Sequence, residues 1–169
     1  MANFFKDNPD IDFHLTHGDW DEVIRLKEAD FSDAGIYPDA PFDVQDAIDG
    51  YRHVLDLVGE IAGEQIAPRS TDVDEEGSVL EGGKVRYAAG IQAAIRELSQ
   101  ADLMGMTLPR RYGGLNMPTF VYNLAIEMIS QGDASLMTIF GLQDIAETIY
   151  EFASDEIKDH YLPKFCTGE

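Results

Sequence analysis

An all-α helical bundle is the fold this sequence predicts, and three observations carry that reading. Apolar residues recur every three or four positions over several long stretches. Proline, glycine and capping acids punctuate those stretches where helices begin and end. Only one short segment, near residues 78–86, reads as a β-hairpin. With 169 residues the chain is long enough to close one hydrophobic core without disulfides or metal. About five or six helices are expected, and no internal repeat is present.

Residues 1–40 read as an acidic, irregular N-terminal extension, with Asp19 capping one short helix to about Lys27. Its aromatics Phe4, Phe5, Phe13 and Trp20 suit a tether onto a neighbouring surface. The domain proper, residues 41–169, opens with a strong helix from about Phe42 to Ala67. There Ala47, Tyr51, Leu55, Val58 and Ile66 form one apolar stripe, opposite a solvated acidic face. Asp43 caps this helix, and Pro68, which lacks the amide the next turn needs, is expected to end it. Residues 69–83 read as an acidic loop, followed by Val79-Leu80 and Lys84-Val85 pairing around Glu81-Gly82-Gly83. A helix from about Ala88 to Leu103 buries Ile91, Ile95 and Leu98 and stops at Gly105.

The loop Leu108-Pro109-Arg110-Arg111-Tyr112-Gly113-Gly114 comes next. Pro118 starts a helix to about Ser130 with Val121, Leu124, Ala125 and Met128 inward. Gly132-Asp133 breaks it and caps another from about Ala134 to Phe152, whose apolar residues are Met137, Phe140, Ile145, Ile149 and Phe152. Ser154 caps a last helix that Pro163 stops or kinks near Lys164.

Composition excludes several functions. The chain carries 32 acidic residues against 12 basic ones, a net charge of -20. That surplus repels phosphate backbones and anionic lipid, so neither nucleic acid nor a membrane surface is an expected partner. The single cysteine, Cys166, allows no internal disulfide. Phe4-Phe5 meets Lys6-Asp7 at once, so no signal-peptide apolar region is expected. No window approaches the roughly 20 apolar residues that cross a bilayer. A cytoplasmic protein is expected.

The residues alone supply no active site and no metal site. Asp72, Asp74, Glu76 and Gly77 imitate the start of a calcium loop, but its twelfth position, where a bidentate Glu is needed, is Gly83. His14 and His17 lie three apart, yet Gly18 and Asp19 make a helix there poor, and no further zinc-spaced ligand follows. His53 and His160 are isolated. Asp144 and Glu147 share a helix face as plain polar surface, and Cys166 reads as a packed thiol.

From about Tyr51 to Glu169 the sequence resembles the N-terminal helical domain of acyl-CoA dehydrogenases. Four segments carry the resemblance in order: Ala62-Gly63-Glu64-Gln65-Ile66-Ala67-Pro68; Asp102 to Asn116, with its Leu-Pro-Arg-Arg-Tyr-Gly-Gly core; Asp133-Ala134-Ser135-Leu136; and Ile157-Lys158, Tyr161-Leu162-Pro163 and Cys166-Thr167-Gly168-Glu169. Three positions depart from the family pattern: Arg110 stands for a usual Glu, Asn116 for a Gly and Ala153 for a Gly.

The resemblance implies oxidation of an acyl-CoA thioester to the 2,3-enoyl-CoA. A carboxylate base takes the α-proton, the β-hydride goes to FAD, and an electron-transfer flavoprotein receives the electrons. It implies flavin-binding strands beyond Glu169, a catalytic carboxylate later still, and a homotetramer. No catalytic residue is then expected within this chain, which alone should be inactive. Mapped by position, Leu136, Met137, Phe140 and Gln143 are expected to bind substrate along the acyl tail. Two other readings stand beside this one: an acyl-CoA oxidase or related flavin monooxygenase domain, and a stand-alone acidic helical interaction module.

Overall fold

The computed structural model describes residues 2–169. Its helices are α1 (Pro9–His17), α2 (Asp21–Lys27), α3 (Val44–Ile61), α4 (Ser70–Glu76), α5 (Ala89–Gln100), α6 (Thr119–Gly132), α7 (Ala134–Gly141), α8 (Ile145–Phe152) and α9 (Asp155–Thr167). One hairpin, β1 (Val79–Glu81) with β2 (Lys84–Arg86), interrupts them. The predicted all-α architecture is observed, and several expected helices are subdivided.

Helix α3 starts where the Asp43 carboxylate accepts from the Asp46 amide at 2.9 Å. Its apolar stripe, including Leu55 and Val58, is buried against α6. Pro68 does not end the helical path. Beyond α3 the chain widens into a π-turn over Ala62–Ile66 and then tightens into a 3-10 turn over Ala67–Arg69. Pro68 sits in the first positions of that turn, where no amide is required, so the path continues into α4. The acidic loop expected over 69–83 is therefore helical through Glu76. Asp72 and Asp74 lie on α4, and a calcium loop cannot form there.

The hairpin forms where expected, but Glu81 belongs to the strand and not to the turn: Leu80 lies opposite Val85 and Glu81 opposite Lys84, with Gly82 and Gly83 turning at φ 58° and 78°. Helix α5 ends earlier than Gly105. Asp102 takes the left-handed conformation (φ 56°), and the Leu103 amide donates to the Leu98 carbonyl at 3.0 Å, a Schellman closure with Asp in place of Gly. Ser154 occupies the N-cap position of α9 without a side-chain capping bond, and Pro163 lies inside α9 without stopping it. Asp159, whose carbonyl loses its helical donor there, is an exposed residue.

The N-terminal stretch, expected to be irregular apart from one short helix, holds both α1 and α2. Helix α1 is capped by the Asn8 side chain, and its Ile11 and Leu15 join Ile24 of α2 in the core. Nine residues with two buried positions give too short a pattern for periodicity to register.

Ahead of α1, residues Ala2–Asp7 cross α3 at Gly59 and the π-turn at Gly63. The Phe4 amide donates to the Gly59 carbonyl at 3.1 Å. A Cβ on Gly59 would lie 2.5 Å from Asn3 Oδ1 and the Phe5 amide nitrogen, and one on Gly63 would lie 2.6 Å from the Ala2 carbonyl oxygen. Gly59→Leu is therefore expected to lift this segment and uncover Phe5. Stability should fall by about 1–3 kcal/mol, read from the urea midpoint; an unchanged midpoint contradicts the packing.

Candidate functional site

The site is built on the segment that was expected to be one helix from Ala134 to Phe152. It is two helices, α7 and α8, joined by a 3-10 turn over Leu142–Asp144. The break has two causes, one local and one supplied by α6. Gly141 is a weak helix former, and the Tyr122 hydroxyl of α6 donates to the Phe140 carbonyl at 2.8 Å. That bond satisfies a carbonyl at the point where the regular ladder gives way.

Asp133 sets the start and rotation of α7. Its carboxylate accepts from the Ser135 amide at 2.8 Å and the Leu136 amide at 3.2 Å. With that start, Leu136 and Phe140 point inward one turn apart and are each only 1% exposed. Phe140 packs on the Tyr122 ring, with centroids 5.6 Å apart. Met137 lies half-buried beside Gly141, where an added Cβ would sit 3.7 Å from Met137 Sδ. Gln143 is engaged by its own chain: its carbonyl oxygen accepts from the Gly105 amide at 2.9 Å, and its Nε2 donates to Met104 Sδ at 3.1 Å.

The four residues expected along an acyl tail thus do not share one surface. Leu136 and Phe140 look into the core, Met137 is half-buried, and Gln143 lines a groove. That groove, of about 320 Å³, runs between α5, α7 and α9, with Ile95, Met104, Ile139, Leu142, Ile145 and Phe165 among its walls. It opens onto an uncovered apolar face, where Leu142 is 65%, Ile145 53% and Phe152 81% exposed. The sequence marks Ile145 and Phe152 as apolar residues of this segment without saying which way they face. Helical spacing identifies a stripe but not whether this chain covers it.

Among the described residues, no group of three or more His, Cys, Asp and Glu side chains is arranged to hold a metal ion. His14 and His17 do lie on a helix, α1, and both are exposed. No described helix is long and apolar enough to cross a membrane.

The model for the acyl-CoA dehydrogenase N-terminal domain matches residues 49–169. The chain belongs to the acyl-CoA dehydrogenase family. Among its curated relatives, 3-methylmercaptopropionyl-CoA dehydrogenase of Ruegeria pomeroyi is 32% identical over 126 residues, 72% of this chain and 21% of the relative. Cyclohex-1-ene-1-carbonyl-CoA dehydrogenase of Geobacter metallireducens is 30% identical over 113 residues, 66% of this chain and 27% of that one. Isovaleryl-CoA dehydrogenase of Solanum tuberosum is 25% identical over 123 residues, 72% of this chain and 28% of that one. The match therefore spans about a quarter of the length of these acyl-CoA dehydrogenases, or less.

A flavin dinucleotide needs donors for its diphosphate. The groove presents no cationic side chain and ends at the Glu169 carboxylate, so its residues do not by themselves fit that group.

Two outcomes follow from this geometry. Phe140→Ala is expected to cost about 3–5 kcal/mol of stability, as loss of a core aromatic does, measured by chemical denaturation; a cost under about 1 kcal/mol contradicts the burial. Burial also pushes the Cys166 thiol up to about 11. Thiolate is then scarce at pH 8, and iodoacetamide should leave the folded chain unlabelled while labelling it in urea. Rapid native alkylation contradicts this.

Proposed function

We propose that this chain is the N-terminal helical domain of a flavin-dependent acyl-CoA dehydrogenase and supplies part of the wall of its acyl-chain pocket. The observation that carries the reading is the groove and the uncovered apolar face around Leu142, Ile145 and Phe152. Monomeric surfaces rarely leave such large side chains clustered without a partner. On this reading the flavin that accepts the hydride and the carboxylate base are held by other parts of the enzyme, and the electrons pass to an electron-transfer flavoprotein. The assembled enzyme is a homo-oligomer.

The domain's part is physical. An acyl tail must be dried before an α-proton and a β-hydride can leave, and an apolar wall excludes water at no cost in unpaired polar groups. Met137, half-buried on α7 outside that groove, is the side chain proposed to touch the tail. Leu136 and Phe140, packed behind it, fix the depth of the wall by holding α7 in place. Gln143 holds the Gly105 loop against the groove, keeping its Met104 wall in position. The -20 charge suits this division of roles, since the anionic CoA moiety is better met elsewhere.

Two measurements test the proposal. Alone, the 169-residue chain is expected to purify colourless and leave acyl-CoA unchanged; a flavin-loaded preparation or measurable turnover overturns it. In the complete enzyme, Met137→Trp should fill part of the pocket and lower kcat/KM for the longest accepted acyl chain by about tenfold or more, against little change for the shortest. Superimposable chain-length profiles would remove Met137 from the wall.

A further inference from the structure

Arg110 is the third residue of the loop that begins at Leu108, yet its side chain is only 3% exposed. It makes five hydrogen bonds, matching the five N–H donors of a guanidinium. Nη1 and Nη2 grip the Glu28 carboxylate at 2.6 and 3.1 Å, and that carboxylate is 1% exposed. Nη1 also meets Asp33 at 3.3 Å, Nε meets Asp39 at 3.2 Å, and Nη2 reaches the Leu115 carbonyl at 3.4 Å. All three acids come from the N-terminal stretch. Burial works against the charge, but the bonds to Glu28 and the nearby Asp39 and Asp33 outweigh it and raise the Arg110 pKa further.

The same junction is reinforced on both sides. Asn116 Nδ2 donates to the Lys27 carbonyl at 3.1 Å, and Lys27 Nζ donates to the Thr107 carbonyl at 2.8 Å. Between Glu28 and Asp33 the chain winds through Ala29, Asp30 and Phe31 at φ 46°, 51° and 63°. Three consecutive non-glycine residues in that region are costly, and such a run persists only where its surroundings over-determine it. On its far side the Arg110 loop packs Leu108 and Tyr112 against Leu162 and Cys166 of α9.

We propose that Arg110 is the positioning residue of a buried latch: through Glu28, Asp33 and Asp39 it makes residues 20–41 an integral layer of the domain and fixes the 108–117 loop that seats α9. The stretch is then no appendage. Removing Arg110 leaves the Glu28 charge buried without its cation, and removing Glu28 leaves buried Arg110 with only the more exposed Asp33 and Asp39, whereas removing both charges together does neither.

Trp20, the only tryptophan, reports directly on the docked layer because its ring stacks on Phe120 at 3.9 Å between centroids. In the wild-type chain, Trp20 emission and helical circular dichroism should melt together. Glu28→Gln and Arg110→Gln should each lower the Tm by on the order of 10 °C. In each variant Trp20 emission should shift red while helicity persists, and exchange of the Asn116 and Met117 amides, bonded to the Leu108 and Met106 carbonyls, should accelerate. The double variant should lose less than the sum of the two.

If a single variant does not fold, Glu28→Leu with Arg110→Met is expected to restore folding and Trp20 docking. The proposal is overturned if the two losses add, if Trp20 and helicity melt separately in the wild type, if the single variants keep wild-type midpoints, or if the apolar pair fails to fold.

Discussion

Helix α6 has to be buried on two sides at once, and the positions of its neighbours follow from that. Val121, Ala125, Met128 and Ile129 are fully enclosed, with α3 against one side and α7 against the other. Where α6 ends, Gly132 lets the π-turn after α3 approach so closely that an added Cβ would stand 3.1 Å from Ile66 and 3.2 Å from the Ala62 carbonyl oxygen. A helix enclosed on two sides, with only the stripe Thr119, Asn123, Glu127 and Gln131 left exposed, thus dictates both the bulge in its neighbour and the direction in which α7 departs. Close packing of this kind leaves little freedom to adjust one member without moving the others.

What was legible in the sequence divides along physical lines. The long amphipathic helices announced themselves because burial on one side imposes a period that composition cannot hide; Leu55, Val58, Leu98 and Met128 all lie where that period puts them. The Gly82-Gly83 turn was legible because only such residues take its dihedrals cheaply. Pro68 misled because a proline breaks a regular ladder, whereas the π-turn before it had already left the regular ladder. The division of Ala134–Phe152 depended on a hydroxyl from another helix, and nothing local to the segment encodes Tyr122.

The candidate site was legible in outline and not in detail. The stretch around Met137 was found through family resemblance. The inward set of Leu136 and Phe140, by contrast, is fixed by which turn Asp133 caps. Ile145 and Phe152 were legible only as apolar residues of their helix, since an apolar residue covered by its own chain and one left bare have the same spelling. Arg110 was visible only as a departure from a pattern; its three acidic partners lie 71 to 82 positions away in sequence.

The short 3-10 turn between α7 and α8 gives the two helices separate fates. Had residues 134–152 formed one rigid rod, any change that retilted its outer end would have levered Phe140 out of the interior. With a joint at Leu142–Asp144, the bare outer helix answers to whatever lies against it, while the inner one answers only to the core. Members of the family with differently shaped neighbours could then vary α8 freely, and the same eight-residue α7 would serve them all.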